Sequence, residues 1–144
     1  MTQKIALGIS EKIRTVYPEE KYKIYTEEVE QGYLKPCFFV LPSNINHKRM
    51  INNRFKSKYS FSIHYYPESD TEKRKECFDV LEVLRLILEF VKVGEDLIHG
   101  FNIDSKLENG VLKFNIDYIL FTIRDFEEIN FSNESLMEVI KIHG

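Results

Sequence analysis

A run of alternating large and polar side chains constrains this chain more than any other feature. Tyr59, Phe61, Ile63 and Tyr65 alternate with Lys58, Ser60, Ser62 and His64. Successive strand residues point to opposite faces, so this period of two puts four large groups on one side of a sheet and predicts a half-buried strand. Pro67 ends it. A second run has the same character: Leu112, Phe114, Ile116, Tyr118 and Leu120 share one face against Lys113, Asn115 and Asp117. From Ile119 through Phe121 to Ile123 the other face turns apolar too, so the end of this strand is expected to be covered on both sides. The Asn109-Gly110 pair before it suits the positive φ angles of a tight hairpin turn, with a further strand over Asp96 to Asn102.

Two segments change period. Ile5, Ala6, Ile9, Ile13 and Val16 fall within an arc of about 100° on a helical wheel, which predicts a helix over residues 3 to 16, capped by Thr2 and closed by Pro18. Ser69-Asp70-Thr71-Glu72 has the capping-box pattern, and a helix is expected from there to about Val93, before Gly94. Lys75, Asp79, Glu82, Arg85, Glu89 and Lys92 form its polar stripe. Between the helices, Lys23 to Val29 and Cys37 to Leu41 read as the two strands of a hairpin around Gly32, the second short and buried on both faces between Pro36 and Pro42.

These elements give the order α-β-β-β-α-β-β and an α+β fold: a mostly antiparallel sheet of about four to five strands, packed by an N-terminal helix and a long central helix. At 144 residues one core suffices. Residues 1-124 are read as the single domain. Residues 125-144 read either as a short helix capped near Ser132 or as an arm that docks on a neighbour.

Charge and motif content exclude several function classes. Twenty basic residues against 23 acidic ones leave a formal charge of -3, with no general drive towards nucleic acid or an anionic membrane. The N-terminus has no apolar core of signal-peptide length, and the richest apolar stretch, Val80 to Val93, is broken by Glu82, Arg85, Glu89 and Lys92, so no membrane partner and no export are expected. Cys37 and Cys77 lie in apolar runs and are expected to be buried free thiols.

The six glycines stand alone, so no glycine-rich loop cradles a phosphate, and the four histidines lack zinc-ligand spacing. His64 beside Ser60 and Ser62 is the one arrangement that resembles an activated hydroxyl, yet no orienting carboxylate or oxyanion element lies near it in sequence. The expectation is a non-enzyme without cofactor or metal. The adjacent pairs Glu19-Glu20, Glu27-Glu28 and Glu127-Glu128 read as solubility charges.

One local bias stands out. From Asn44 to Lys58 there is no acidic residue, while Lys48, Arg49, Arg54, Lys56 and Lys58 supply five positive charges, with His47, Met50 and Phe55 among them. Such a segment suits contact with an acidic neighbouring subunit, a plain surface in the form of a solvated loop or of a β-hairpin arm whose charges suppress edge pairing, or nucleic-acid phosphates.

The segment from Tyr25 through Gln31-Gly32-Tyr33-Leu34-Lys35-Pro36-Cys37-Phe38-Phe39 to Val40, then Arg54 and the run Tyr59 to Pro67, with the hairpin Glu108-Asn109-Gly110-Val111-Leu112-Lys113-Phe114, resembles the tail terminator proteins of phages and tail-like elements of Gram-positive bacteria. The resemblance covers roughly residues 5 to 124. It implies a ring, usually of six copies, that sits on the last ring of tail-tube subunits, stops tube growth and offers a surface to the head connector. It further implies assembly in the bacterial cytoplasm and a place at the head-proximal end of a virion tail or a tail-like bacteriocin. The implied partners are the chain itself, the tail tube protein, and sheath and head-connector proteins, with DNA only as cargo. A closed ring needs two different complementary patches on each subunit. Lys48, Arg49, Arg54, Phe55, Lys56 and Lys58 are the candidates for one, and Glu27, Glu28 and Glu30 for the other. Rival readings are another head-tail connector or tail completion protein, and a nucleic-acid-binding module in which Phe55, Tyr59 and Phe61 stack bases while Lys48, Arg49 and Lys58 hold phosphates.

Overall fold

The structure is a computed structural model and describes residues 1–123. The reading of 125-144 lies outside those residues. Two helices pack on one face of a six-stranded mixed sheet of order β1-β2-β3-β6-β5-β4. The elements are α1 (Thr2–Arg14), β1 (Lys23–Tyr25), β2 (Cys37–Arg49), β3 (Arg54–Tyr66), α2 (Lys73–Ile87), β4 (Phe90–Val93), β5 (Asp96–Glu108) and β6 (Val111–Ile123), with a 3-10 turn at Ile51–Asn53.

The two alternating runs form the centre. In β3, Tyr59, Phe61, Ile63 and Tyr65 are buried while Lys58, Ser60, Ser62 and His64 are half-exposed. β6 lies antiparallel beside it, with Phe61 opposite Ile116 and Ile63 opposite Phe114. The Asn109-Gly110 turn forms as expected, with φ of 54° and 75°, and joins β5 to β6. On the inner face of the sheet, Ile5, Ile9 and Ile13 of α1 and Cys77, Val80 and Leu84 of α2 complete the core. Each fully buried branched side chain contributes about 1.5–3 kcal/mol. Both cysteines are free and buried, and burial raises the Cys37 thiol to about 11 against the opposing charge of Lys35.

Four expectations are corrected. β1 and β2 are not a hairpin: β1 runs parallel to β2, with Lys23 beside Cys37 and Tyr25 beside Phe39. The chain between them bends with Gly32 at φ 87° and crosses back to the end where β1 began, where Tyr25 stacks on Phe39 at 5.0 Å and accepts a hydrogen bond from the Leu34 amide. Second, β2 does not stop at Leu41. Only Cys37 to Val40 are buried on both faces; the strand runs past Pro42 to Arg49, its register shifting between Pro42 and Asn44. A proline has no amide to give the ladder, and a bulge accommodates it.

Third, the central helix stops at Ile87 and residues 90–93 form β4, a sixth strand. The polar spacing that suggested helix continues through Glu89 and Lys92, but Val91 and Val93 are buried and Lys92 is exposed, which is strand alternation. Pairing with β5 decides it: Phe90 stacks on His99 at 4.7 Å, and Gly94 takes the φ of 64° that the β4-β5 turn requires. Fourth, α1 has no side-chain cap from Thr2 and ends at Arg14, short of residue 16. Arg14 Nη1 instead donates to the carbonyl of Tyr22 at 2.6 Å and ties down the turn that follows.

The start of α2 differs too. Ser69 Oγ accepts from the amides of Thr71 and Glu72, but the helix begins at Lys73. The acid that reaches back is Glu76, not Glu72: its carboxylate accepts from the amides of Glu68 and Ser69 and from the hydroxyl of buried Tyr65 at 2.5 Å. Burial opposes ionisation of Glu76, yet these three donors outweigh it and hold the carboxyl below its ordinary 4.5. A carboxyl with a lowered folded pKa adds stability that is complete above its unfolded value and lost as pH falls through the folded one. Glu76→Gln is therefore expected to cost about 1–3 kcal/mol at pH 7. In urea titrations the gap from the parent chain should shrink below pH 4.5. A gap independent of pH would contradict the assignment.

Candidate functional site

Of the two plain forms open to the basic segment, solvated loop or hairpin arm, the structure has the arm. It is the distal half of the β2-β3 hairpin, which extends past the part of the sheet that the helices cover. Residues 42–49 of β2 are exposed, and β6 follows β3 to the end, with Ile123 opposite Arg54. At the tip the Met50 amide donates to the Arg54 carbonyl at 2.6 Å, and Asn52 and Asn53 hold φ of 61° and 60°. Asparagine tolerates that left-handed region better than other side chains that bear a Cβ, and Arg49 Nη2 donates to Asn53 Oδ1 at 3.1 Å.

Strand register divides the candidate residues between two faces. On the outer face Lys48 sits directly opposite Lys56, and Asn46 opposite Lys58, with Arg54 on the same side. The rows continue into β6, where Lys56 is beside Phe121 and Lys58 beside Ile119. Arg49 and Phe55, a cross-strand pair, share the inner face, where His47 Nδ1 and Ser57 Oγ lie 2.7 Å apart. So the six residues read as one patch are four on one side and two on the other. Among the described residues, the side chains of Lys48, Arg54, Lys56 and Lys58 make no hydrogen bond or ion pair. Apolar groups accompany them: Ile51 at the tip is 79% exposed and Phe121 66%, so this end of β6 is not covered on both faces by any described residue.

The acidic candidates lie at the other end of the same face. Glu27, Glu28 and Glu30 are exposed on the segment between β1 and β2. Glu28 and Glu30 border a cleft of about 300 Å³ whose floor is Tyr33, Phe39, Tyr66 and His64. The rings form a continuous set, Tyr33 to Tyr66 at 4.9 Å, Tyr33 to Phe39 at 5.7 Å and Phe39 to Tyr66 at 5.4 Å. At roughly 3.3 Å per residue, the run of β3 from Lys56 to His64 separates the two charged ends by about 26 Å. The structure thus brings the lysines together, brings Glu28 and Glu30 together, and keeps the groups apart. The aromatic floor is not apparent from the sequence, because Tyr33, Phe39 and Tyr66 are gathered only by the β2-β3 pairing and the segment that crosses from β1 to β2.

The same cleft is where chemistry was considered. His64 Nε2 and Ser62 Oγ are 2.9 Å apart. Burial and then Lys113 push the imidazole below its ordinary value, with Glu28 opposing through space and without a hydrogen bond. Ser62 sits in a central strand, opposite Leu41 on one side and Asn115 on the other, so the amides around it belong to ladders and none is aimed at a developing oxyanion. The nucleic-acid arrangement meets a steric obstacle. Phe61 is fully buried and Tyr59 nearly so, on the face opposite Lys48 and Lys58, so neither ring stacks a base held by those lysines. Among the described residues no group of histidine, cysteine and acidic side chains has metal-binding geometry, and no helix is long and apolar enough to cross a membrane.

A family model described as phage tail terminator protein matches residues 4–130. No curated protein matches the chain.

Proposed function

The chain belongs to the phage tail terminator family, structural components of the phage tail, and from that premise we propose that it closes the tail tube as a ring of six identical subunits. The ring ends tube polymerisation and presents the surface on which the head connector docks. Its partners are neighbouring copies, the tail tube protein, and, in a contractile tail or tail-like bacteriocin, the sheath, with DNA only passing through. Assembly takes place in the bacterial cytoplasm. Residues 1–124 are the ring-forming body.

One observation carries the ring reading. Lys48, Arg54, Lys56 and Lys58, which pair with no described residue, and the carboxylates of Glu28 and Glu30 lie at opposite ends of one face. A surface with complementary ends favours head-to-tail contacts, which close into a ring when the rotation permits, over a two-fold contact that would set like charges together. A split between like-charged rows is what a subunit needs if each copy offers a different patch to each neighbour.

Removing the chain from a tail-producing cell tests the capping role. Tubes are expected to lose their fixed length and run on well beyond it, which electron micrographs measure directly. Tubes of unchanged, uniform length would contradict the proposal.

A further inference from the structure

We infer that the aromatic cleft is the socket for a neighbour's hairpin tip: the Arg54 guanidinium of one copy lies on the half-buried rings of Tyr33 and Tyr66 of the next, between Glu28 and Glu30. This rests on the ring reading and names its contact. Aromatic faces attract a cation through the ring quadrupole, and arginine more often than lysine because its planar group stacks. Two such rings, Tyr33 and Tyr66, lie 4.9 Å apart and half-exposed over buried Phe39, which meets both edge-on, and the cleft they line opens on the surface.

Two carboxylates at the rim have no ion pair among the described residues, while Lys113, whose charge reaches His64 and Tyr66 in the cleft, is itself paired with Glu108. The tip offers the complement in shape as well as charge. Arg54 follows directly on the turn, with Ile51 beside it exposed to 79%, and the cleft has Val29 and Leu41 in its wall to receive an apolar group. A second copy is the occupant because both halves are on one chain, at opposite ends of one face. From Arg54 to His64 the strand covers about 33 Å, so in a six-fold ring the contact points lie about that far from the axis.

The test uses two full-length variants in tail-producing cells that lack the parent chain. One carries Arg54→Glu, the other Glu28→Lys with Glu30→Lys. Either alone is expected to lower the fraction of tubes bearing a terminal ring by about tenfold or more, since each sets like charges in every contact of the ring. Produced together, they should recover rings in which the two alternate, because the altered tip of one faces the altered cleft of the other. All positions are exposed, so thermal melts of the purified variants should match the parent.

Rings that persist with either variant alone would overturn the socket while leaving the ring reading intact. Loss with each variant and no recovery on co-production would also overturn it, and would assign both patches to other proteins. Absence of the parent chain from tube ends would overturn both.

Discussion

Lys56→Glu should leave the subunit as stable as the parent, or more so, while abolishing its ability to cap tubes. Lys48 and Lys56 face each other across the β2-β3 ladder, where like charges are destabilising and opposite charges contribute roughly 0.2–1 kcal/mol. The substitution turns a repulsive pair into an attractive one, so the urea midpoint is expected to hold or rise by up to about 1 kcal/mol of stability. In the proposed ring the same change places a carboxylate in the basic row inferred to face a neighbour's Glu28 and Glu30. A like-charge contact across an interface costs several kcal/mol, and capped tubes should fall about tenfold or more. A fold whose basic row merely kept it soluble would show the stability change without the loss of capping, and that outcome would remove the row from the interface.

Gly8→Val is expected to produce the largest loss of stability, about 3 kcal/mol or more. Gly8 lies on the buried side of α1, against β4. A Cβ there would stand 2.6 Å from the Lys92 carbonyl oxygen and 2.6 Å from Val91 Cγ1. The carbonyl is backbone in a paired strand, so it cannot swing aside as a side chain would. Glycine costs a helix interior up to about 1 kcal/mol relative to alanine, so even Gly8→Ala sets a propensity gain against a clash, and the clash should win. A urea midpoint for Gly8→Ala at or above the parent's would show that α1 does not pack on β4 this closely.

How far residues alone foretell this architecture depends on how many forces each segment obeys. β3 and most of β6 were legible because one face is buried and the other is not, so burial writes itself as a period of two from Tyr59 to Tyr65 and from Leu112 to Tyr118. The β5-β6 turn was legible because few residue pairs besides Asn109-Gly110 accept two positive φ angles. The distal half of β2 was not, because residues 42–49 are exposed on both faces and carry no alternation; they are a strand only because β3 pairs with them. Long-range pairing also decides β4 over a longer helix, and the parallel course of β1 over a hairpin.

The candidate site follows the same division. Its residues were visible as an acid-free stretch and as acidic pairs, and the family was visible in the segment from Tyr25 to Pro67, which the family match over residues 4–130 bears out. The arrangement was not. Reading 47 to 58 as one basic patch merges Lys48 with Arg49 and Lys56 with Phe55, whereas strand pleat sends them to opposite faces. Nor did the sequence pattern hint that Phe39 and Tyr66, distant along the chain, would floor one cleft beside Glu28.

Electron cryomicroscopy of intact tails, averaged at the tube end, tests the central claim most directly. The account predicts a closed ring of this chain seated on the last layer of tube subunits, with each β2-β3 tip against the segment between β1 and β2 of the adjacent copy. A tube end without this chain, or a ring in which the hairpin tips point away from neighbouring copies, would contradict it.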